Sequence, residues 1–145
     1  MNKQLIQRIE CFLDNNPNLK GSPTSPQEIK RAEELLQITL DSDYKEFICK
    51  FGGSFAGLAI HAFSNGNSIG NETVVDLTMR CRESFKNTEF SSEINESIVF
   101  TDDGSGNQIT INKNGEVVIY YHDSGYKEKL SNSFGEFIEE NFHEW

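Results

Sequence analysis

Two adjacent aspartates precede a glycine-rich segment in the stretch TDDGSGNQIT, positions 101–110. Carboxylates beside glycines occur in calcium loops, in phosphate-binding loops and in simple turns between strands. A calcium loop of the EF-hand type needs glycine at its sixth position and glutamate at its twelfth. A loop that starts at Asp103 has Gln108 at its sixth position and Asn114 at its twelfth, and a loop that starts at Asp102 has Lys113 at its twelfth. The spacing therefore excludes this type of calcium site.

A phosphate-binding loop fits the same stretch no better. The segment Gly104-Ser105-Gly106 lacks the third glycine of a dinucleotide fingerprint, and no Lys-Ser or Lys-Thr pair follows it. The two carboxylates at its entrance would also repel a phosphate. We therefore interpret the stretch as a tight turn between two strands, in which glycine and asparagine take positive φ angles. In this interpretation the aspartates are available to contact a partner.

Residues that could catalyse a reaction are few and scattered. The sequence His122-Asp123-Ser124 contains the three residue types of a hydrolytic triad, but neighbours on a strand point to opposite faces. A working triad is assembled from separate elements. We therefore predict no catalytic residues, no cofactor and no metal site. Three alternatives stay open: a hydrolase that uses Asp and His residues, a nucleophilic Cys49 paired with a histidine, and a metal held by residues 102, 103 and 123. The three histidines are His61, His122 and His143.

The three cysteines lie far apart, at Cys11, Cys49 and Cys81, and form no CxxC pair. An odd number at this spacing argues against a disulfide framework and against a zinc site. Each cysteine falls within a helical pattern. We therefore predict that all three are small buried hydrophobic residues.

The negative charge is concentrated in the C-terminal part of the chain. The protein has 13 basic and 23 acidic residues, a formal net charge of −10. The last 57 residues, 89–145, contain 3 basic and 12 acidic side chains, and we call this segment the acidic portion. The negative electrostatic potential of such a segment repels nucleic acid and anionic membranes and accelerates the binding of a basic protein. Alternatively, the charge only maintains solubility. One local basic cluster, Arg80, Arg82 and Lys86, is balanced by Glu72, Asp76 and Glu83.

No targeting or membrane segment is evident in the sequence. No apolar run approaches the roughly 18 residues that a membrane helix needs. Arg8 and Glu10 interrupt the apolar pattern at the N-terminus, which is not typical of a signal peptide. We therefore predict a cytoplasmic protein.

Apolar spacing and turn residues predict helices followed by a sheet and a final helix. Ser25-Pro26-Gln27-Glu28 is a helix start with a capping box, and Lys113-Asn114-Gly115 is a hairpin turn. We expect an α+β fold with one domain, residues 1–145, in which helices flank a mostly antiparallel sheet. The first three helices are predicted over 2–15, from Ser25 with the apolar stripe Ile29, Ala32, Leu35 and Leu36, and from Asp41 or Ser42 to Gly52. A fourth is predicted from Glu72 or Thr73 to Phe85, and a last one from Ser131 or Ser133 through Phe134, Phe137, Ile138, Phe142 and Trp145. Strands are predicted within 55–63 and over 97–100, 108–111 and 116–121.

Three segments together resemble the SUKH superfamily, which includes fungal cell-wall-synthesis regulators and bacterial immunity proteins. They are EIKRAEELLQITLDSDYKEFICKFGGS, DGSGNQITINKNGEV and NSFGEFIEE, in the order that the family shows. The resemblance covers about residues 26–142. The matching positions are Ile29, Glu33, Leu36, Leu40, Tyr44, Lys45, Phe47, Gly52 and Gly53, then Asp103, Gly104, Gly106 and Asn107, and finally Ser133, Phe134, Phe137 and Ile138.

The resemblance implies a single α+β domain and, for a short bacterial member, immunity to a cognate polymorphic toxin. Many such toxins are nucleases with basic substrate-binding surfaces, so an acidic inhibitor would compete with nucleic-acid phosphates. We expect partner contacts at Asp102, Asp103, Glu116 and Asp123, at the strand ends and turns of the acidic portion. The alternative is a regulatory or scaffold domain without a toxin partner. The oligomeric state is not predicted.

Overall fold

The computed structural model describes residues 1–144. Trp145, which was predicted to extend the last helix, lies outside the described residues. The helices are α1 (Lys3–Asn15), α2 (Pro26–Leu36), α3 (Ser42–Phe51), α4 (Val74–Phe85), α5 (Ser91–Ile94) and α6 (Phe134–Asn141), with a 3₁₀ turn at Pro17–Leu19. The strands are β1 (Ser54–Phe55), β2 (Ala59–Ile60), β3 (Ile98–Asp102), β4 (Gln108–Ile111), β5 (Val117–Tyr120) and β6 (Lys127–Ser131).

The helix starts follow the capping residues in the sequence. At α2 the Glu28 amide donates to Ser25 Oγ (3.2 Å), and the Ser25 amide donates to Glu28 Oε1 (3.0 Å). This is the predicted capping box, and it is confirmed. Asp41 caps α3, Thr73 caps α4 and Ser133 caps α6, each by accepting from a backbone amide three residues on.

The strands form a two-stranded sheet, β1–β2, and a four-stranded sheet in the order β3-β4-β5-β6. Every pairing within these two sheets is antiparallel, and the predicted hairpin through Asn114-Gly115 joins β4 to β5. The predicted α+β class is therefore confirmed. Two elements, α5 and β6, were not predicted from the sequence.

Helices cover both faces of the four-stranded sheet. Alternate residues of β5 point to opposite faces: Val117 and Ile119 join the larger core with α1, α3 and α6, whereas Val118 and Tyr120 join a smaller core with α4 and α5. This two-sided burial explains why all four residues of β5 are apolar or aromatic and buried.

Helix α4 is attached to β3 by a buried hydrogen bond. The pairing of β3 with β4 is irregular between Val99 and Thr101. The Val99 amide donates to the hydroxyl of Thr78, 2.9 Å away on α4. Because β3 ends at Asp102, this bond helps to position the strand that leads into the glycine-rich turn.

Three predictions of burial are wrong. Leu35 is 62% exposed although its neighbours Ala32 and Leu36 are buried. Cys11 and Cys49 are exposed, and Cys81 is buried as predicted. The reason is helical geometry: Cys11 precedes the buried Phe12 and Cys49 follows the buried Ile48, so each lies about 100° around its helix from that neighbour.

Within residues 1–144, no helix has both the length and the apolar character needed to cross a membrane.

Candidate functional site

The register of the sheet brings three of the four predicted contact residues to one end. The strand-end residues Asp102, Gln108, Tyr120 and Lys127 are consecutive partners across β3, β4, β5 and β6. The turns 103–107 and 121–126 therefore project from the same end of the sheet. We call Asp102 and these two turns the acidic end, since they contain Asp102, Asp103 and Asp123.

The Asp103 carboxylate organises the first turn. Its Oδ1 accepts from the amides of Ser105 (2.9 Å) and Asn107 (3.2 Å), and its Oδ2 accepts from Asn107 Nδ2 (2.8 Å). These hydrogen bonds, with the Asn107 side chain first, lower the pKa of Asp103. Gly104 and Gly106 have φ angles of +83° and +88°, as predicted, whereas Asn107 does not have a positive φ angle, so that part of the prediction is wrong. The stretch is therefore a turn, and the carboxylate of its second aspartate, Asp103, is partly occupied by hydrogen bonds within the turn itself.

The carboxylates of Asp102 and Asp123 accept fewer described hydrogen bonds than the carboxylate of Asp103 does. Asp102 Oδ1 accepts from the Gly104 amide at 2.7 Å, and both side chains belong to exposed residues. Among residues 1–144, no basic side chain forms a salt bridge with Asp102, Asp103 or Asp123. The acidic end therefore carries three carboxylates without a neutralising cation.

His122 connects the two turns of the acidic end. Asn107 Oδ1 accepts from the His122 amide (3.1 Å) and lies 2.7 Å from His122 Nδ1. Asn107 is only 8% exposed, so its side chain is a buried link between the turns. Its amide nitrogen already donates to Asp103, and the oxygen must therefore be the acceptor for the ring. This arrangement places a proton on Nδ1 and leaves Nε2 as an acceptor when the ring is neutral.

Glu116 lies at the opposite end of the sheet. It follows the hairpin turn between β4 and β5, about 13 Å along the strands from the acidic end. Its carboxylate accepts from Asn112 Nδ2 (3.0 Å) and lies 3.3 Å from Lys129 Nζ. Both interactions lower the pKa of Glu116, and the Asn112 hydrogen bond is the larger cause. Its charge is thus partly compensated, unlike that of Asp102 or Asp123.

The lysines of the acidic portion are all paired away from the acidic turns. They form salt bridges to glutamates: Lys113–Glu96 (3.0 Å), Lys127–Glu93 (2.7 Å) and Lys129–Glu116 (3.3 Å). Arg8 approaches Glu144 with two contacts, of 2.6 and 2.8 Å. Pairing therefore reduces the charge elsewhere and leaves the acidic end with its charge uncompensated.

Among residues 1–144, no described hydrogen bond links a histidine side chain to the side chain of Asp123, Ser124 or Cys49. His122 Nδ1 contacts Asn107, so the ring is not held by its neighbour Asp123 as a triad would require. His61 Nδ1 lies 2.7 Å from the carbonyl oxygen of Glu72, far from this turn in the chain. In the described part of the chain, no group of three or more His, Cys, Asp or Glu side chains is arranged to hold a metal ion.

Several residues at this end were missed by the sequence reasoning. Tyr126 is 72% exposed at the base of the second turn, where its carbonyl oxygen accepts from the Tyr121 amide at 2.9 Å. The Tyr121 hydroxyl donates to Glu128 Oε2 at 3.0 Å. This hydrogen bond raises the pKa of Tyr121. The charged residues Lys127, Glu128 and Lys129 obscured β6, but an aromatic residue on each side of the turn, Tyr121 and Tyr126, was a usable signal.

A protein-family model, SUKH_5, described as SMI1-KNR4 cell-wall, matches residues 3–144. No curated protein matches the chain.

Proposed function

Because the chain belongs to the SMI1-KNR4 family of the SUKH superfamily, we propose that it is a bacterial immunity protein that binds and neutralises a protein toxin. In this proposal the toxin is a nuclease and the chain blocks it by occupying its surface, without catalysing a reaction. The complex would form in the cytoplasm, where an intracellular nuclease finds its substrate.

The observation that carries this proposal is the uncompensated charge of the acidic end. Asp102, Asp103 and Asp123 project from one end of the sheet, and no basic side chain of residues 1–144 forms a salt bridge with them. A nuclease must present cationic groups to the phosphates of its substrate. Carboxylates placed against those groups would exclude the nucleic acid and accelerate association of the two proteins.

We propose Asp102, Asp103 and Asp123 as the centre of the contact surface, with Glu116 nearer its margin. A standard interface buries about 800 Å² on each partner, which corresponds to a patch roughly 30 Å wide. The separation of about 13 Å along the strands therefore allows one partner to reach both ends of the sheet. Glu116 should contribute less than the other three, because Lys129 already lies 3.3 Å from it.

The direct test is co-expression with the product of the adjacent toxin-like gene. We expect the chain to co-purify with that product and to protect cells from it. If it does neither, the proposed function is wrong.

The acidic end is tested by the double variant Asp102→Lys, Asp123→Lys. These carboxylates are preferable to Asp103, because Asp103 shapes the turn. Glu139→Lys, Glu140→Lys on α6 is a matched control with the same change of charge. We expect association with the toxin to slow at least tenfold at low salt for the first variant, and the difference to shrink in 0.5 M salt. Equal association rates for the two variants would remove the acidic end from the interface.

A second candidate is a regulatory or scaffold domain, which the cell-wall description of the matching family favours. Such a domain would bind a protein partner without protecting against any toxin. A stable complex with an endogenous protein, together with no protection in the co-expression assay, would support this candidate.

A further inference from the structure

A small groove lies beside the acidic end, between the segment that joins α4 to α5 and the second turn. Its volume is about 220 Å³. We call it the aromatic groove, and it is lined chiefly by Phe85, Glu89, Phe90, Tyr121, His122 and Gly125. We propose that the aromatic groove receives an arginine side chain of the protein partner. This inference rests on the proposed function and specifies how the partner is anchored.

The size of the groove limits its occupant to one side chain. Pockets for cofactors and drug-sized ligands usually have volumes of about 300–1,000 Å³. At about 220 Å³ the aromatic groove is too small for a nucleotide. It is suitable for one long side chain inserted from a protein surface, as interface anchors commonly are.

The surroundings of the groove already stabilise a cation in the free protein. Lys127 Nζ lies 5.6 Å from the centre of the Phe90 ring, and it is 2.9 and 2.7 Å from the two carboxylate oxygens of Glu93. The Phe90 ring and the Glu93 carboxylate thus bind this ammonium jointly. A second cation would need the same combination of an aromatic ring and a carboxylate. The two Glu93 oxygens also offset the charge of Lys127, and this reduces its repulsion of an incoming cation.

Two acceptors are available to a guanidinium in the groove. Glu89 is exposed, and no basic side chain in the described part of the chain forms a salt bridge with it. His122 holds its Nδ1 proton against Asn107, so Nε2 of the neutral ring presents a lone pair. The carboxylates of the acidic end add to the negative potential at the mouth.

Arginine suits this groove better than lysine. A guanidinium is planar, stacks on aromatic faces and offers five N–H donors in a fixed geometry. It can therefore stack on Tyr121 while it donates to Glu89 and to His122. An ammonium is more strongly hydrated and gains less from an aromatic face.

The test uses the peptide acetyl-Gly-Arg-Gly-amide as probe and NMR titration of the ¹⁵N-labelled protein. The same peptide with citrulline in place of arginine is the matched control, since it has nearly the same shape and no charge. We expect saturable shifts of the Phe90, Tyr121 and His122 amides with the arginine peptide, and binding at least threefold weaker with citrulline.

Two variants locate the binding. Glu89→Gln removes the exposed carboxylate at the groove and should weaken binding of the arginine peptide about two- to fivefold, as expected for one solvent-exposed charge pair. Glu139→Gln on α6 removes the same charge elsewhere and should leave it unchanged. No groove shifts, equal binding of the citrulline peptide, or equal loss in both variants would each overturn the proposal.

The peptide titration tests arginine binding by the groove independently of the proposed function, because the titration is done without the toxin. Binding of arginine in the groove without a toxin complex would support the groove and contradict immunity. A protective toxin complex without arginine binding would contradict the groove alone.

Discussion

Replacing Asn107 with alanine should disconnect the two turns of the acidic end. The Asn107 side chain donates to Asp103 Oδ2 (2.8 Å) and accepts from the backbone amide (3.1 Å) and ring Nδ1 (2.7 Å) of His122. Each hydrogen bond contributes about 0.5–1.5 kcal/mol net. The Asp103 carboxylate and the His122 ring belong to exposed residues and can regain water, so the full sum is not lost. We expect Asn107→Ala to lower the free energy of unfolding by about 1–2 kcal/mol.

The same variant should change how stability depends on pH. Hydrogen bonding, mainly from Asn107, lowers the pKa of Asp103 in the folded protein. A carboxylate with a lowered folded pKa stabilises the protein above its unfolded pKa, about 3.9, and loses that contribution as the pH falls through the folded pKa. Asn107→Ala removes the largest cause of the shift. The stability difference between parent and variant should therefore be largest near pH 7 and should shrink below about pH 4.

Urea unfolding at pH 7 and pH 3, followed by circular dichroism, measures both effects. Asn114→Ala is the control, because it changes the same residue type in the turn at the opposite end, where only the backbone amide of Asn114 makes a described hydrogen bond. An equal loss of stability in the two variants would refute the role of the network. So would a difference for Asn107→Ala that stays constant between the two pH values.

Two further predictions concern the layer between α4 and the sheet. Thr78→Val should leave the buried Val99 amide without its acceptor and lower the free energy of unfolding in urea by about 1–3 kcal/mol. Thr78→Ser should keep most of the stability, because it retains the hydroxyl. Equal losses in the two variants would show that the hydroxyl is not the cause. Burial raises the pKa of the Cys81 thiol to about 11. A disulfide exchange reagent should therefore modify Cys11 and Cys49 rapidly and Cys81 only after unfolding, and three equal rates in the native protein would contradict this.

Much of the fold was predictable because local signals and tertiary packing agree. The capping box at Ser25 and the Asn114-Gly115 turn each require a particular backbone geometry, and the structure shows both. The apolar spacing of α6 predicted the burial of Phe134, Phe137 and Ile138. Such features depend on neighbours within a few residues, and for this reason a single sequence reveals them.

The missed elements lack those local signals. Strand β6 reads Lys-Glu-Lys-Leu-Ser, with three exposed charged residues, because it is an edge strand whose outer side faces solvent. Helix α5 has four residues and no side-chain cap, and one buried side chain, Ile94, attaches it to the smaller core. Both elements exist because of pairing and packing with distant segments, which the local pattern does not contain.

The location of the uncompensated carboxylates depends on strand register even more strongly than the overall fold depends on it. The sequence shows an excess of acidic residues after position 88, but any of them could have been neutralised. In the structure, Lys127 at the end of β6 turns to Glu93 on α5, and Lys129 reaches Glu116 at the other end of the sheet. A register shift of one residue would have moved both lysines to the opposite face of the sheet. The uncompensated acidic end therefore follows from the pairing of β5 with β6, and this pairing is why the candidate partner surface lies around Asp102 and Asp123.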